Sequence, residues 1–283
     1  MERKVILLTG ASSGIGRDAA MTLAAGGHKV YAAARRIELM EPLKAHDIVP
    51  LKLDVCEEQS MVDAVASVLQ REGRIDVLVN NAGYGFFGAI ETVPMEEARR
   101  QLEVNVFGLA RLCQLVLPAM RNQGGGRIVN ISSVAGRAVF YFGGWYHVSK
   151  YSVEAFSDAL RMEMKPFGID VSMIEPGAIK TDWGLIAADH LRHSSAGTPY
   201  ETPAARWAST IRSMYGSDGL SHPHVVARAI LRAVESRRPR ARYRTGRLSG
   251  TIVFLHWLLP TRLWDALMRL GGRMDFRTST QAP

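Results

Sequence analysis

Cysteine is nearly missing from this chain. Two thiols in 283 residues, Cys56 and Cys113, cannot lace a disulfide framework, and both fall in segments that read as regular structure. A reduced, cytosolic setting is expected. Apolar runs long enough to cross a bilayer are missing too. The stretch Val5-Ile6-Leu7-Leu8 behind Glu2, Arg3 and Lys4 is too short for a signal peptide and has no cleavage pattern, so secretion is not expected. No cluster of His, Cys, Asp and Glu suggests a metal, and there is no internal repeat or low-complexity tract. Asn130-Ile131-Ser132 matches a glycosylation acceptor formally, but it ends a run that reads as a buried strand.

What is present is the composition of a folded domain, 47% hydrophobic and 22% charged, long enough to bury one large core. The net charge is +8. Such an excess suits nucleic acid, a membrane surface or an anionic cofactor. Much of it lies in Arg228, Arg232, Arg237, Arg238, Arg240, Arg242, Arg244 and Arg247, with no zinc-finger or helix-turn-helix pattern around them. Nucleic-acid binding is therefore not expected, and a solvated basic surface is the plain alternative to a specific anion contact.

Short apolar strands are expected at Val5 to Thr9, Val30 to Ala34, Ile48 to Leu53, Val77 to Asn80, Ile128 to Ser132 and Val171 to Ile174. Helices are expected over Asp18 to Ala25 and near 60–71, 95–120 and 149–165. That alternation implies right-handed crossovers: an α/β fold with a doubly wound, Rossmann-type parallel sheet flanked by helices. Such sheets bind ligands beyond the carboxyl ends of their strands. Beyond Pro176-Gly177 the rhythm weakens. Residues 183–222, with Trp183, Tyr200, Trp207 and Tyr215, read as a substrate cover or as surface decoration, and Val225 to Val234 returns to helical spacing. The catalytic domain is taken as 1–247, with 248–283 a C-terminal helical extension interrupted at Pro260. That extension suits packing on its own domain or on a second subunit, interfacial membrane contact, or the rim of a substrate pocket.

Thr9-Gly10-Ala11-Ser12-Ser13-Gly14-Ile15-Gly16 joins the first strand to the first helix. The glycines permit a tight turn, and the helix N-H groups can meet a pyrophosphate. A P-loop is excluded, because no Gly-Lys-Ser/Thr ending follows. Where an NAD site offers a carboxylate to the ribose, this chain has Ala34-Arg35-Arg36, which suits a 2'-phosphate and NADP(H) over NAD(H). Ser12 adds a hydroxyl.

The ordered set Thr9-Gly10-x-x-x-Gly14-Ile15-Gly16, Asp54-Val55, Asn80-Asn81-Ala82-Gly83, Asn105, Ser133, Tyr146-x-x-x-Lys150 and Pro176-Gly177 resembles the short-chain dehydrogenase/reductase family, and within it the steroid and retinol dehydrogenase branch. The resemblance implies reversible conversion of a ketone or aldehyde to an alcohol. Tyr146 is implied to be the proton donor and acceptor, Lys150 its cationic helper, Ser133 the hydroxyl on the substrate oxygen, and Asn105 the holder of a relay water. Ser132 is the lesser candidate for the hydroxyl role. The implied cofactor contacts are Gly10, Ser12, Ser13, Gly14, Ile15, Gly16, Arg35, Arg36, Asp54, Val55, Asn80, Ala82, Gly83, Tyr146, Lys150, Pro176, Gly177, Ile179 and Thr181, with Asn81 bracing the sheet. Independently of the resemblance, Tyr146 and Lys150 stand four apart, which on a helix puts them on one face. His147 points elsewhere, so its adjacency is no sign of a dyad.

The aromatics of 140–145 and those beyond 183 suit an apolar carbonyl or alcohol substrate. The resemblance also implies a homodimer or homotetramer through the helices near 100–120 and 150–165, in the cytoplasm or peripherally on a membrane. The competing readings are a non-catalytic NADP(H)-binding regulatory protein, which need not keep Ser133, Tyr146, Lys150 and Asn105 together, and a related-fold epimerase or dehydratase.

Overall fold

A computed structural model describes residues 2–271. Seven parallel strands form one sheet in the order β3-β2-β1-β4-β5-β6-β7: β1 Val5–Thr9, β2 Lys29–Ala34, β3 Ile48–Lys52, β4 Val77–Asn80, β5 Gly126–Ile131, β6 Ile169–Pro176 and β7 Arg242–Thr245. Helices α1 Gly14–Ala25, α2 Glu58–Glu72, α3 Met95–Leu102, α4 Gly108–Asn122, α5 Gly144–Met164 and α8 His224–Glu235 cover it. The two-residue period of a strand sends alternate side chains to opposite faces. Leu7, Leu78 and Ile128 enter the core with Leu112 and Val153, while Ile6, Leu8, Val77 and Val129 enter the other with Leu23 and Ile230. Burial on both faces is why these strands read as continuous apolar runs.

The strand order reverses between β1 and β4, each of which pairs in parallel with its neighbours. That reversal opens the crevice into which the carboxyl ends of the strands point. The helix expected over 95–120 is interrupted by one π turn, Glu103–Phe107, centred on buried Asn105. By length and composition Met95–Asn122 passes as a membrane span, but its Leu112, Val116 and Met120 are fully buried in the core.

Two segments are more regular than their sequence suggests. The weakly patterned segment after 183 forms two regular helices, α6 Trp183–Ser195 and α7 Glu201–Gly216. Ala187, Ala188, Ala204 and Ala208 are fully buried there; small residues let the two helices approach closely, and they leave little apolar rhythm to read. Within the arginine-rich stretch, Arg242–Thr245 forms the edge strand of the sheet, with Arg242 partly buried and Arg244 exposed. Glu175 on β6 is fully buried, and it takes Arg242 Nε at 3.1 Å and Arg244 Nε at 2.9 Å. Arg242 Nε also meets Glu154 at 3.0 Å. Of the eight arginines in this stretch Arg242 is the one that is partly buried, and with exposed Arg244 it neutralises a buried acid pair; the other six are exposed, as a solvated surface requires.

After β7 come α9 Ser249–Leu258 and α10 Thr261–Gly271. Buried Val253 and Trp264 hold them to the domain, with Trp264 Nε1 donating to the Val139 carbonyl at 3.0 Å. The rest of the expected extension, 272–283, lies outside the described residues.

Candidate active site

The glycine turn leaves β1 at Gly10, whose φ of +68° suits glycine. A Cβ on Gly16 would stand 2.2 Å from the Gly10 carbonyl oxygen, so the helix enters too close for any side chain. Asn81 Nδ2 donates to the Thr9 and Gly10 carbonyls at 3.0 and 3.1 Å, and Thr9 Oγ1 accepts from the N-H of Asn81 and Ala82. Asn81 thus braces the turn, in keeping with its expected place in the sheet. Ser13 opens α1 with no side-chain cap on the helix N-H groups, which leaves those donors and the helix dipole to an anion. Thr181 faces Gly14 across the crevice, its Cγ2 3.4 Å from where a Gly14 Cβ would lie.

At the far end of β2, exposed Arg35 shares an open cavity of ≈ 430 Å³ with Asp54, Arg99 and Arg100. Asp54 Oδ1 accepts from the Cys56 N-H at 3.0 Å. Arg36 is exposed and Val55 buried against Gly108. The Asn80 amide points inside the sheet, where its Nδ2 donates to Asn130 Oδ1 at 2.9 Å, and the chain then runs along the crevice through Ala82 and Gly83. Pro176, Gly177 and Ile179 shape the opposite lip, with Gly177 N-H donating to the Thr245 carbonyl at 2.8 Å. These positions make one groove with a row of backbone donors and an end where Arg35, Arg99 and Arg100 stand among Asp54, Glu57 and Glu103, which fits a nicotinamide dinucleotide.

Tyr146 and Lys150 are both buried on α5. The Lys150 Nζ donates to the Ile131 carbonyl at 2.9 Å and lies 5.8 Å from the Tyr146 ring centre. Burial pushes the Lys150 ammonium down to about 8 against the opposing field of Glu154, one helical turn on. Burial also raises the Tyr146 phenol, and a hydrogen bond with Ser133 opposes that rise. Ser133 leaves β5 in extended backbone, and its Oγ accepts from the Ala135 N-H at 3.1 Å. Ser132 turns the other way, toward Gly136 and Glu154, as strand alternation requires, so Ser133 is the hydroxyl on the side of the phenol.

Asn105 is held by its π turn. Its Oδ1 accepts from the Tyr84 N-H at 3.0 Å, and its Nδ2 donates to the Tyr84 carbonyl and to Ser149 Oγ. A Cβ on Gly83 would lie 3.1 Å from Asn105 Oδ1 and 3.8 Å from Lys150 Nζ, so both side chains border that glycine. His147 is committed elsewhere. The Phe140 N-H donates to its Nε2 at 3.0 Å, so Nδ1 carries the proton and donates to the Ala135 carbonyl at 2.9 Å.

Sequence reasoning missed the closeness of the roof. The Trp183 ring stands 5.0 Å from that of Tyr146 and Phe87 stands 5.8 Å away, while Tyr215 fills the gap beside Gly184. Phe142 takes a left-handed φ of +61° as it enters this wall. The signal available beforehand was the density of aromatics on both sides of Tyr146. Glu154 was missed as well, although it follows Lys150 at the same four-residue spacing.

Comparison with known proteins agrees with this geometry. The family model of the short chain dehydrogenases matches residues 4–187. A probable short-chain type dehydrogenase/reductase, VdlC of Helicobacter pylori, is 36% identical over 264 residues, covering 93% of this chain and 96% of its own. The 3-ketodihydrosphingosine reductase of Bacteroides thetaiotaomicron is 34% identical over 249 residues, covering 88% and 90%. Among solved structures, a short-chain dehydrogenase from Streptomyces avermitilis superposes with a TM-score of 0.80 at 33% identity, covering 97% of this chain and 99% of that one.

Proposed function

This chain belongs to the short-chain dehydrogenase family, and from that premise we propose that it is an NADP(H)-dependent oxidoreductase interconverting an apolar ketone or aldehyde and its alcohol. The observation that carries the reading is the meeting of Tyr146, Lys150 and Ser133 under an aromatic wall, at the same strand ends as an uncapped glycine turn. Bound in the groove, a nicotinamide dinucleotide supplies or takes up the hydride.

The chain's own part is the proton. With its phenol raised by burial, Tyr146 is protonated at neutral pH and serves as the acid in reduction. Lys150, near 8, is then still an ammonium, and it steadies the phenolate that proton transfer leaves behind. Ser133 fixes the substrate oxygen, and Asn105 behind Gly83 provides the polar wall of a relay to Lys150. Trp183 and Phe87 exclude water and favour an apolar substrate, a preference that the likeness to 3-ketodihydrosphingosine reductase supports. Arg35, with no carboxylate at the end of β2, supports NADP(H) over NAD(H). Exposed Phe107, just before α4, and Tyr151 on α5 support self-association through these helices, and two free thiols support a reducing, cytoplasmic compartment.

The test is a screen of apolar carbonyls by NADPH oxidation, with Tyr146→Phe as the matched control. Turnover on at least one ketone or aldehyde, and a loss of at least about 100-fold in the control, are expected from the size of a positioned proton transfer. Equal rates in both proteins would take Tyr146 out of the mechanism.

A further inference from the structure

The two C-terminal helices are amphipathic twice over. At 100° per residue, Trp264 and Met268 of α10 fall on one stripe, which the buried Trp264 turns inward. Leu263, Leu267 and Leu270 fall on a second stripe, and all three are exposed, Leu270 at 77%. On α9, buried Val253 faces the domain, while Phe254, Trp257 and Leu258 point outward, Trp257 also at 77%. Isolated exposed leucines need no explanation, but six large apolar side chains on the outer faces of consecutive helices do.

The charges say what covers them. Arg262 and Arg269 are exposed and lie together on α10, about a third of a turn to one side of the leucine stripe, where long basic side chains flank an apolar face and reach out from it. Arg247 precedes exposed Leu248 at the entrance to α9. Across both helices Asp265 is the carboxylate present, and it lies further round, beyond the arginines. A second copy docking here by two-fold symmetry would bring arginine against arginine with little acid to compensate. An anionic lipid surface has the complementary chemistry: acyl chains for the leucines and phenylalanine, the interfacial zone for tryptophan, and phosphates for the arginines.

We propose that the outer faces of α9 and α10 dock this protein on an anionic bilayer surface. The face borders the active site. Trp264 packs 6.2 Å from Phe140, Phe140 packs 5.5 Å from His147, and His147 adjoins Tyr146 on α5. Val139, whose carbonyl holds the Trp264 indole, is itself exposed. The surface carries the proposal independently of the redox reading.

The experiment is co-sedimentation of the full chain with phosphatidylcholine vesicles, with and without one quarter phosphatidylglycerol, at two salt concentrations. Partitioning at least about tenfold stronger onto the anionic vesicles is expected, weakened by salt, since each basic residue near such a surface contributes roughly fivefold. Leu263→Asp with Leu267→Asp should abolish binding. Arg262→Glu with Arg269→Glu should reduce it at least about tenfold, to the level of neutral vesicles. Circular dichroism and turnover of a water-soluble carbonyl show that the variants are folded, so loss of docking is read separately from loss of chemistry. Failure of the wild-type chain to bind anionic vesicles overturns the proposal. So does unchanged binding by either variant, or a leucine variant that dissociates an oligomer while no vesicle binding is seen.

Discussion

Replacing Arg242 by methionine tests whether the last strand is held by charge. Its guanidinium contacts Glu154 at 3.0 Å and Glu175 at 3.1 Å and reaches Asp158 as well. Methionine keeps the apolar stem and removes the charge. Glu175 then retains Arg244, whereas Glu154 is left with Arg137 at 3.8 Å. Breaking a buried pair from one side costs about 3–5 kcal/mol. Because Arg242 is partly exposed and Glu175 keeps a partner, the lower end, about 3 kcal/mol, is expected at pH 8. The pH dependence has a definite sign. Burial already lifts the Glu154 carboxyl above its ordinary value, and loss of Arg242 lifts it further. A carboxyl raised in the folded state binds its proton more tightly there than in the unfolded chain, so stability is lost as pH rises through the folded value. The deficit of the variant is thus full at pH 8 and shrinks on acidification. Urea unfolding at pH 8 and pH 5.5, followed by circular dichroism, measures both. A loss under about 1 kcal/mol at pH 8, or a deficit that widens in acid, would refute the account of β7.

Two further outcomes follow from the site. Lys150 is held at about 8 against an ordinary 10.5, so between those values the unfolded chain binds more protons and stability rises with pH; below about 8 the full penalty applies. Lys150→Met should therefore abolish turnover and yet stabilise the unliganded protein at pH 7 by about 1–2 kcal/mol, since relief of a penalty of about 3 kcal/mol is offset by about 1–2 kcal/mol for leaving the buried Ile131 carbonyl unpaired. Urea unfolding at pH 7 and pH 10 would show that gain fading; a less stable variant would refute it. Arg35→Asp puts a carboxylate where a 2'-phosphate would lie, and the ratio of kcat/KM for NADPH over NADH should fall at least about tenfold. An unchanged ratio would remove Arg35 from cofactor choice.

Local sequence was sufficient for whatever depends on neighbours along the chain. Six strands were legible because each has an apolar centre, buried on both faces of the sheet in all but the edge strand β3. The glycine turn was legible because a backbone approach as close as that of Gly16 to Gly10 admits one residue type. Tyr146 and Lys150 were legible as a pair because four residues make one helical turn.

Charge and aromatic character, by contrast, take their meaning from partners far along the chain. Arg242 and Arg244 read as wet surface until β6 sets a fully buried Glu175 beside them. Trp183 read as one anchor of a cover until the fold laid its ring 5.0 Å from Tyr146. Lys150 looked like an ordinary ammonium until burial lowered it to about 8. A single sequence records which groups exist; the cost of a charge depends on the dielectric and the counter-charge around it, and only the tertiary structure assembles those.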